Sequence, residues 1–250
     1  MKCLFVLLAV FLFSCEESQQ TSLASLLETS PIIIKEDGPA LFQYWELAQD
    51  RRLWEAELGN FPALEAYKDS LIMALGDSLL RQLLQRELHQ AAPPSSSPDS
   101  LDNYHLIHEG HVGKIQAITY LEAEILNYQL SRFPLFSHPT EFHGFILQND
   151  SLGRIRIYFG ASDQGWPPKA TPLVEHMEGI IDEGWRLSHH LHNHYESAEN
   201  NYLGIMAPSL ADAHYFKVLH ARFEVEEARI TNGFCTLLLS GEELNLLNSH

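Results

Sequence analysis

The sequence predicts an α/β protein, with a mixed sheet flanked by helices and an N-terminal helical segment ahead of it. Two observations carry that expectation. Between His111 and Leu239, short strand-like apolar runs alternate with stretches of three- and four-residue apolar spacing. Ahead of them, Ala91 to Ser100 (AAPPSSSPDS) is a Pro/Ser linker that sets residues 15–90 apart from residues 101–250.

From Thr21 to Gln90 the apolar spacing reads as helical, through Ala40–Leu47 and again from Leu71 to Leu84, with Gly59 and Gly76 as punctuation. After the linker, His111 to Leu130 reads as one long helix carrying Ile115, Ile118, Leu121, Ile125 and Tyr128 on one side. Phe142–Leu147 and Arg154–Phe159 are strands joined by a turn at Gln148–Ser151. Leu173 to Asp182 is a helix closed by Gly184, and Trp185 to Tyr195 is a third strand. Ser209 reads as an N-cap, with Asp212 at the third position of a helix reaching Phe223. Glu227–Thr231 and Cys235–Leu239 are two more strands around the turn Asn232-Gly233.

The N-terminus reads as a targeting segment. Met1-Lys2 is followed by an unbroken apolar run from Cys3 to Phe13, too short for a bilayer core that needs roughly 20 apolar residues. Leu12-Phe13-Ser14-Cys15 resembles a lipobox, which implies cleavage of residues 1–14 and lipid on Cys15. The chain would then be a lipoprotein of the bacterial cell envelope, held to a membrane by its lipid. An ordinary cleaved signal peptide with an incidental cysteine is the alternative. With Cys3 removed and Cys15 acylated, no second thiol is left to form a disulfide with Cys235, so a core rather than disulfides must hold the fold. The net charge of −17 argues against nucleic acid and against broad adhesion to anionic lipid.

Among 14 histidines, Ser188-His189-His190-Leu191-His192-Asn193-His194 is the informative group. Alternate residues of a strand share a face, so His190, His192 and His194 can converge on one metal ion. Zn²⁺ favours imidazole nitrogen, and a catalytic site takes three protein ligands and keeps one position open. Asp212 is available as the carboxylate ligand, and a second carboxylate would be needed as general base. A polar surface strand or an adventitious metal binder is the bland reading of such a run.

Order and context add a resemblance. The region from about Ile115 to Leu239 resembles a JAMM (JAB/MPN-type) zinc metallopeptidase domain, with cytidine-deaminase-like layering. Glu141-Phe142-His143-Gly144 opens a strand, His192-Asn193-His194 ends another, and Ser209-Leu210-Ala211-Asp212 opens a helix. The resemblance implies that His192, His194 and Asp212 hold Zn²⁺. It makes Glu141 the general base that activates water, and it makes Ser209 a stabiliser of the oxyanion. It implies hydrolysis of amide bonds in a peptide or protein substrate of the envelope or the cell exterior. The segment Tyr195–Pro208 is longer than the family usually shows, no proline follows the second histidine, and His190 is an extra imidazole on the same face. A shift of two would make His190 and His192 the ligands.

A non-catalytic lipoprotein that uses the scaffold for binding is the second reading, and metal capture by the histidine face is the third. His108-Glu109-Gly110-His111 is one residue short of the HExxH spacing. Gly-x-Ser-x-Gly, P-loop and dinucleotide patterns do not occur, and the Pro-Cys-x-x-Cys of zinc deaminases is missing.

Overall fold

A computed structural model describes residues 28–56, 59–76, 78, 98–132, 140–194 and 206–249. Its strands are β1 (Ile32–Asp37), β2 (Ala40–Ala48), β3 (Lys114–Ala117), β4 (Phe142–Asn149), β5 (Arg154–Ala161), β6 (Arg186–Asn193), β7 (Glu227–Thr231) and β8 (Cys235–Ser240). Its helices are α1 (Pro62–Leu75), α2 (Pro98–His108), α3 (Tyr120–Arg132), α4 (Thr171–Ile181), α5 (Leu210–Phe223) and α6 (Gly241–Leu244). The strands make one 8-stranded mixed sheet in the order β1-β2-β5-β4-β6-β7-β8-β3. β6 and β7 are parallel, and the other neighbouring pairs are antiparallel.

Helices cover both faces of the sheet, so its central strands are apolar on both sides. Along β4, Phe145 and Leu147 join a core with Leu173 and Met177 of α4 and Phe216 of α5. Ile146 between them faces the opposite core, with Leu64 of α1 and Leu121 and Ile125 of α3. This two-residue alternation is what a pleated strand imposes. Among the described residues, no helix is long and apolar enough to cross a membrane.

The expected α/β class and the elements from Phe142 onward agree with the structure, to within a few residues at their ends. The N-terminal helical reading is corrected. Ala40–Leu47 lies in strand β2, which pairs with β5 and with β1, and β1 was not expected at all. The run from Leu41 to Trp45 is buried throughout. A strand covered on both faces reads as a continuous apolar run, whose periodicity does not separate strand from helix. The arbitrating signal was Asp37-Gly38-Pro39: Gly38 takes φ +59 in a tight hairpin that sets Asp37 opposite Ala40. Helix α1 stops at Gly76, where φ is +76, and Leu79 to Leu84 lie outside the described residues.

The single helix expected from His111 to Leu130 is also corrected. Ile115 lies in the edge strand β3, and the helix begins only at Tyr120. Gly113 at φ +73 lets the chain turn into β3. A capping arrangement then starts α3: the backbone N–H and hydroxyl of Thr119 donate to Glu122 Oε2 at 2.8 and 2.7 Å. Apolar spacing across the break hid this Thr-x-x-Glu signal. Of the linker, Ala91–Ser97 lies outside the described residues, and Pro98–Ser100 opens α2.

Thr119→Ala removes this cap and one partner of the buried Glu122. We expect a loss of about 1–2 kcal/mol in urea unfolding, with Thr119→Ser close to wild type.

Candidate metal centre

Chain topology brings four polar side chains to one end of the sheet. Glu141 immediately precedes β4, His192 lies near the end of β6, and His194 is the residue after its last. Asp212 sits in the first turn of α5. β4 and β6 are antiparallel neighbours with His143 opposite His192, so the start of one strand meets the end of the other. Gly144 sits opposite Leu191 in this pairing, where an added Cβ would stand 3.1 Å from the Leu191 Cβ.

Asp212 Oδ1 is 3.6 Å from His192 Nε2, and its Oδ2 is 3.5 Å from His194 Nε2. Glu141 Oε2 is 3.7 Å from His192 Nε2. Neighbouring ligands of a tetrahedral metal, each ~2.0–2.2 Å from the ion, stand roughly 3.3–3.6 Å apart. Each of these pairs is thus spaced as two ligands of one ion would be, with Asp212 meeting the two imidazoles through different oxygens. Donor atoms of Glu141, His192 and His194 also lie within 4.8 Å of one another, so these three form a possible metal-binding triad.

Surrounding groups orient these donors. His192 Nδ1 lies 3.0 Å from the Phe142 carbonyl. A carbonyl only accepts, so Nδ1 carries the proton and the Nε2 lone pair faces the carboxylates. The backbone N–H and hydroxyl of Ser209 donate to Asp212 Oδ2 at 2.9 and 2.6 Å, and Asp212 N–H donates back to Ser209 Oγ at 3.1 Å. The N-cap expected at Ser209 is thus present, as a reciprocal capping box. Ser209 has a single hydroxyl proton, and it goes to Asp212. The oxyanion role that the resemblance implies for Ser209 would require that bond to be released.

The two carboxyl groups are driven apart electrostatically. Burial raises Glu141 to about 7, opposed by His194 and reinforced by Asp212. Burial is also the largest single influence on Asp212 and pushes it upward. The hydrogen bond with His194, the fields of His192 and His194 and the Ser209 hydroxyl together outweigh it and hold Asp212 well below the usual carboxylate range. Burial lowers His192 to about 4, against the opposing pull of Asp212. Burial likewise lowers His143 to about 3 and His190 well below the ordinary imidazole value.

Glu141, His192, His194 and Asp212 are thus brought together. His190 lies deeper, with Nε2 3.4 Å from His143 Nδ1. Cys15 and the stretch Tyr195–Ile205 lie outside the described residues. Met206, just after that stretch, is buried with its sulfur 3.4 Å from the sulfur of Cys235, which is itself buried. His111 pairs with exposed Glu109 at 3.2 Å. Sequence reasoning missed Asn193, the middle residue of His-Asn-His. Its side chain accepts from Phe142 N–H at 2.8 Å and donates to the Thr140 carbonyl at 3.1 Å. It thereby clamps the residues on either side of Glu141 to the end of β6. No local pattern announces this, because the partners lie half a domain away in sequence.

Comparisons with protein-family models, curated proteins and solved structures find no match to this chain.

Asn193→Ala leaves a buried N–H and a buried carbonyl without this partner, and we expect a loss of about 1–3 kcal/mol in denaturant unfolding. A pH dependence follows for metal-stripped protein. His143, His190 and His192 stay neutral in the fold, whereas their unfolded counterparts take up protons below about 6.5. Their stabilising contribution is present above that pH and is lost as pH falls toward about 4. Glu141, raised to about 7, contributes in the opposite sense and is outnumbered. The melting temperature should fall between pH 7 and pH 5. An unchanged or higher value at pH 5 would contradict this assignment.

Proposed function

We propose that the chain is a zinc-dependent amide-bond hydrolase of JAMM type, a peptidase or isopeptidase anchored by lipid on Cys15 outside the cytoplasm. The observation that carries this reading is the convergence of two imidazoles and two carboxyl groups at one end of the sheet. The order α3, β4, β5, α4, β6, α5, β7, β8 is in keeping with JAB/MPN-type layering.

In this reading His192, His194 and Asp212 hold the metal. Zinc, when bound there, supplies Lewis acidity and lowers the pKa of water toward ~7. Asp212 suits the ligand role because it stays ionised and is fixed by Ser209. Glu141 suits the base role because its carboxyl titrates near neutrality. It takes a proton from the attacking water and returns it to the departing amine nitrogen. Substrates are peptides or proteins of the envelope or the cell exterior, and the net charge of −17 disfavours nucleic acid.

Glu141→Gln should lower turnover of a peptide substrate by about 10²–10⁴-fold while a zinc equivalent stays bound. Asp212→Ala should remove that equivalent and turnover together. Full activity in Glu141→Gln would sink the hydrolase reading and leave a binding scaffold.

A further inference from the structure

We infer that His143 is a further catalytic residue, whose imidazole Nε2–H donates to the substrate carbonyl oxygen as negative charge develops on it. The role rests on the hydrolase reading of this corner, and it fills a place that Ser209 leaves open. The single hydroxyl proton of Ser209 goes to Asp212. Amide hydrolysis still needs a donor aimed at the oxygen of the tetrahedral intermediate.

His143 lies directly opposite His192 in the pairing of β4 with β6, and the two ring centres stand 6.1 Å apart. Helix α5 lies over both. Asp212 meets His192, and Tyr215, one turn later on the same side of the helix, packs on His143. His143 therefore sits on the β4 flank of the corner, two residues beyond Glu141. An oxygen ~2.0–2.2 Å from a zinc ion and ~2.7–3.1 Å from an N–H bridges a gap of up to roughly 5 Å. Neighbouring strands are ~4.7–4.9 Å apart, so a donor one strand over from His192 is suitably placed.

The hydrogen bond behind His143 sets which nitrogen carries its proton. His143 Nδ1 and His190 Nε2 share one hydrogen bond at 3.4 Å, with one nitrogen donating and the other accepting. His190 is 1% exposed between Phe145 and Phe216, and its Nδ1 has no hydrogen-bond partner among the described residues. Orphaned buried N–H groups are rarer than unsatisfied acceptors, so the His190 proton belongs on Nε2, where it donates to His143 Nδ1. The proton of His143 is then on Nε2. His143 is half-buried, and its Nε2 is not among the enclosed, unpartnered polar atoms, so a substrate can reach it.

Other donors at this corner are committed or shut in. The Asn193 amide donates to the Thr140 carbonyl, and the Tyr215 hydroxyl is enclosed. As the water oxygen bonds to the carbonyl carbon, the C=O π pair moves onto the carbonyl oxygen. His143 strengthens its bond to that oxygen and keeps its own proton. Glu141 takes the water proton and passes it to the amine nitrogen as the C–N bond breaks.

The test uses the full chain loaded with Zn²⁺, a quenched fluorogenic peptide library, and the phosphinic analogue of glycylglycine as a stable tetrahedral oxyanion. On the best-cleaved peptide, His143→Phe should lower kcat by about 10²–10³-fold, with little change in KM and the zinc equivalent retained. It should weaken phosphinate binding by roughly tenfold or more. His143→Gln, which restores an N–H near the Nε2 position, should recover much of both losses. A loss confined to KM, an unchanged kcat, or glutamine no better than phenylalanine overturns the proposal. Wild type that holds zinc but cleaves no peptide sinks the hydrolase reading, and phosphinate affinity then decides His143 separately. Weaker binding in His143→Phe with recovery in His143→Gln sustains the donor, whereas equal binding or none in wild type overturns it. Should His143→Phe fail to fold, ¹⁵N imidazole spectra of wild type decide: a His143 proton on Nε2 is expected, and one on Nδ1 overturns the role.

Discussion

Because β6 and β7 run parallel, the chain between them must travel back along the whole sheet before it can pair again. Helix α5 makes part of that return, so its N-terminus stands beside the C-terminal end of β6. Much else at this end of the molecule follows from that crossover. It delivers Asp212 to the imidazoles of the preceding strand, and it packs Phe216 over His190. The antiparallel pairing of β4 with β6 supplies the rest, by bringing Glu141 to the same corner. An ordinary hairpin after β6 could not place a helix N-terminus there.

How much of this was legible in the sequence depended on distance along the chain. The capping box at Ser209 and Asp212 spans one helical turn, and local patterning found it. The alternation of His190 and His192 is likewise a local property of one strand, and their rings stack along β6 with His194 just past its end. What local patterning could not give was the neighbour across the sheet. His143 meets His190 and Asn193 holds Phe142 only because β4 pairs with β6 in one register, and register is set by the whole core. Glu141 had no signature of its own among many acids, and it was reached only through the family pattern. At the N-terminus the failure was of another kind. β2 is buried on both faces, so burial erased the alternation that would have marked it as a strand.

The corner carries a thermodynamic cost that the rest of the fold must offset. His143, His190 and His192 are held neutral by burial on central strands where apolar side chains would pack more favourably. The surrounding architecture over-determines their positions: Leu191 and Ile146 anchor the opposite face of the same strands, and Phe145 and Phe216 enclose the inner imidazole. On the back of β6, His189 stacks on Trp54 and bonds Glu227, so even the exceptional polar side chain there has partners. The back of the strand satisfies its histidine within the protein, whereas on the front His190 Nδ1 has no hydrogen-bond partner among the described residues.

Ser209 and Asp212 link folding to that front face. The same carboxylate oxygen that accepts from Ser209 also lies 3.5 Å from His194, so the residue that starts the helix is also poised toward the imidazoles. A helix N-terminus carries partial positive charge and by itself repels a cation. An ionised Asp at the third position reverses that local field and also satisfies two donors of the cap. Truncating Asp212 would therefore remove a negative charge, a cap and an orienting partner for both imidazoles in one change. Asparagine keeps the side-chain shape and one capping oxygen but lacks the charge, so Asp212→Asn and Asp212→Ala separate the two. Any difference in helix stability between them measures the cap, and whatever they lose in common measures the charge that faces the histidines.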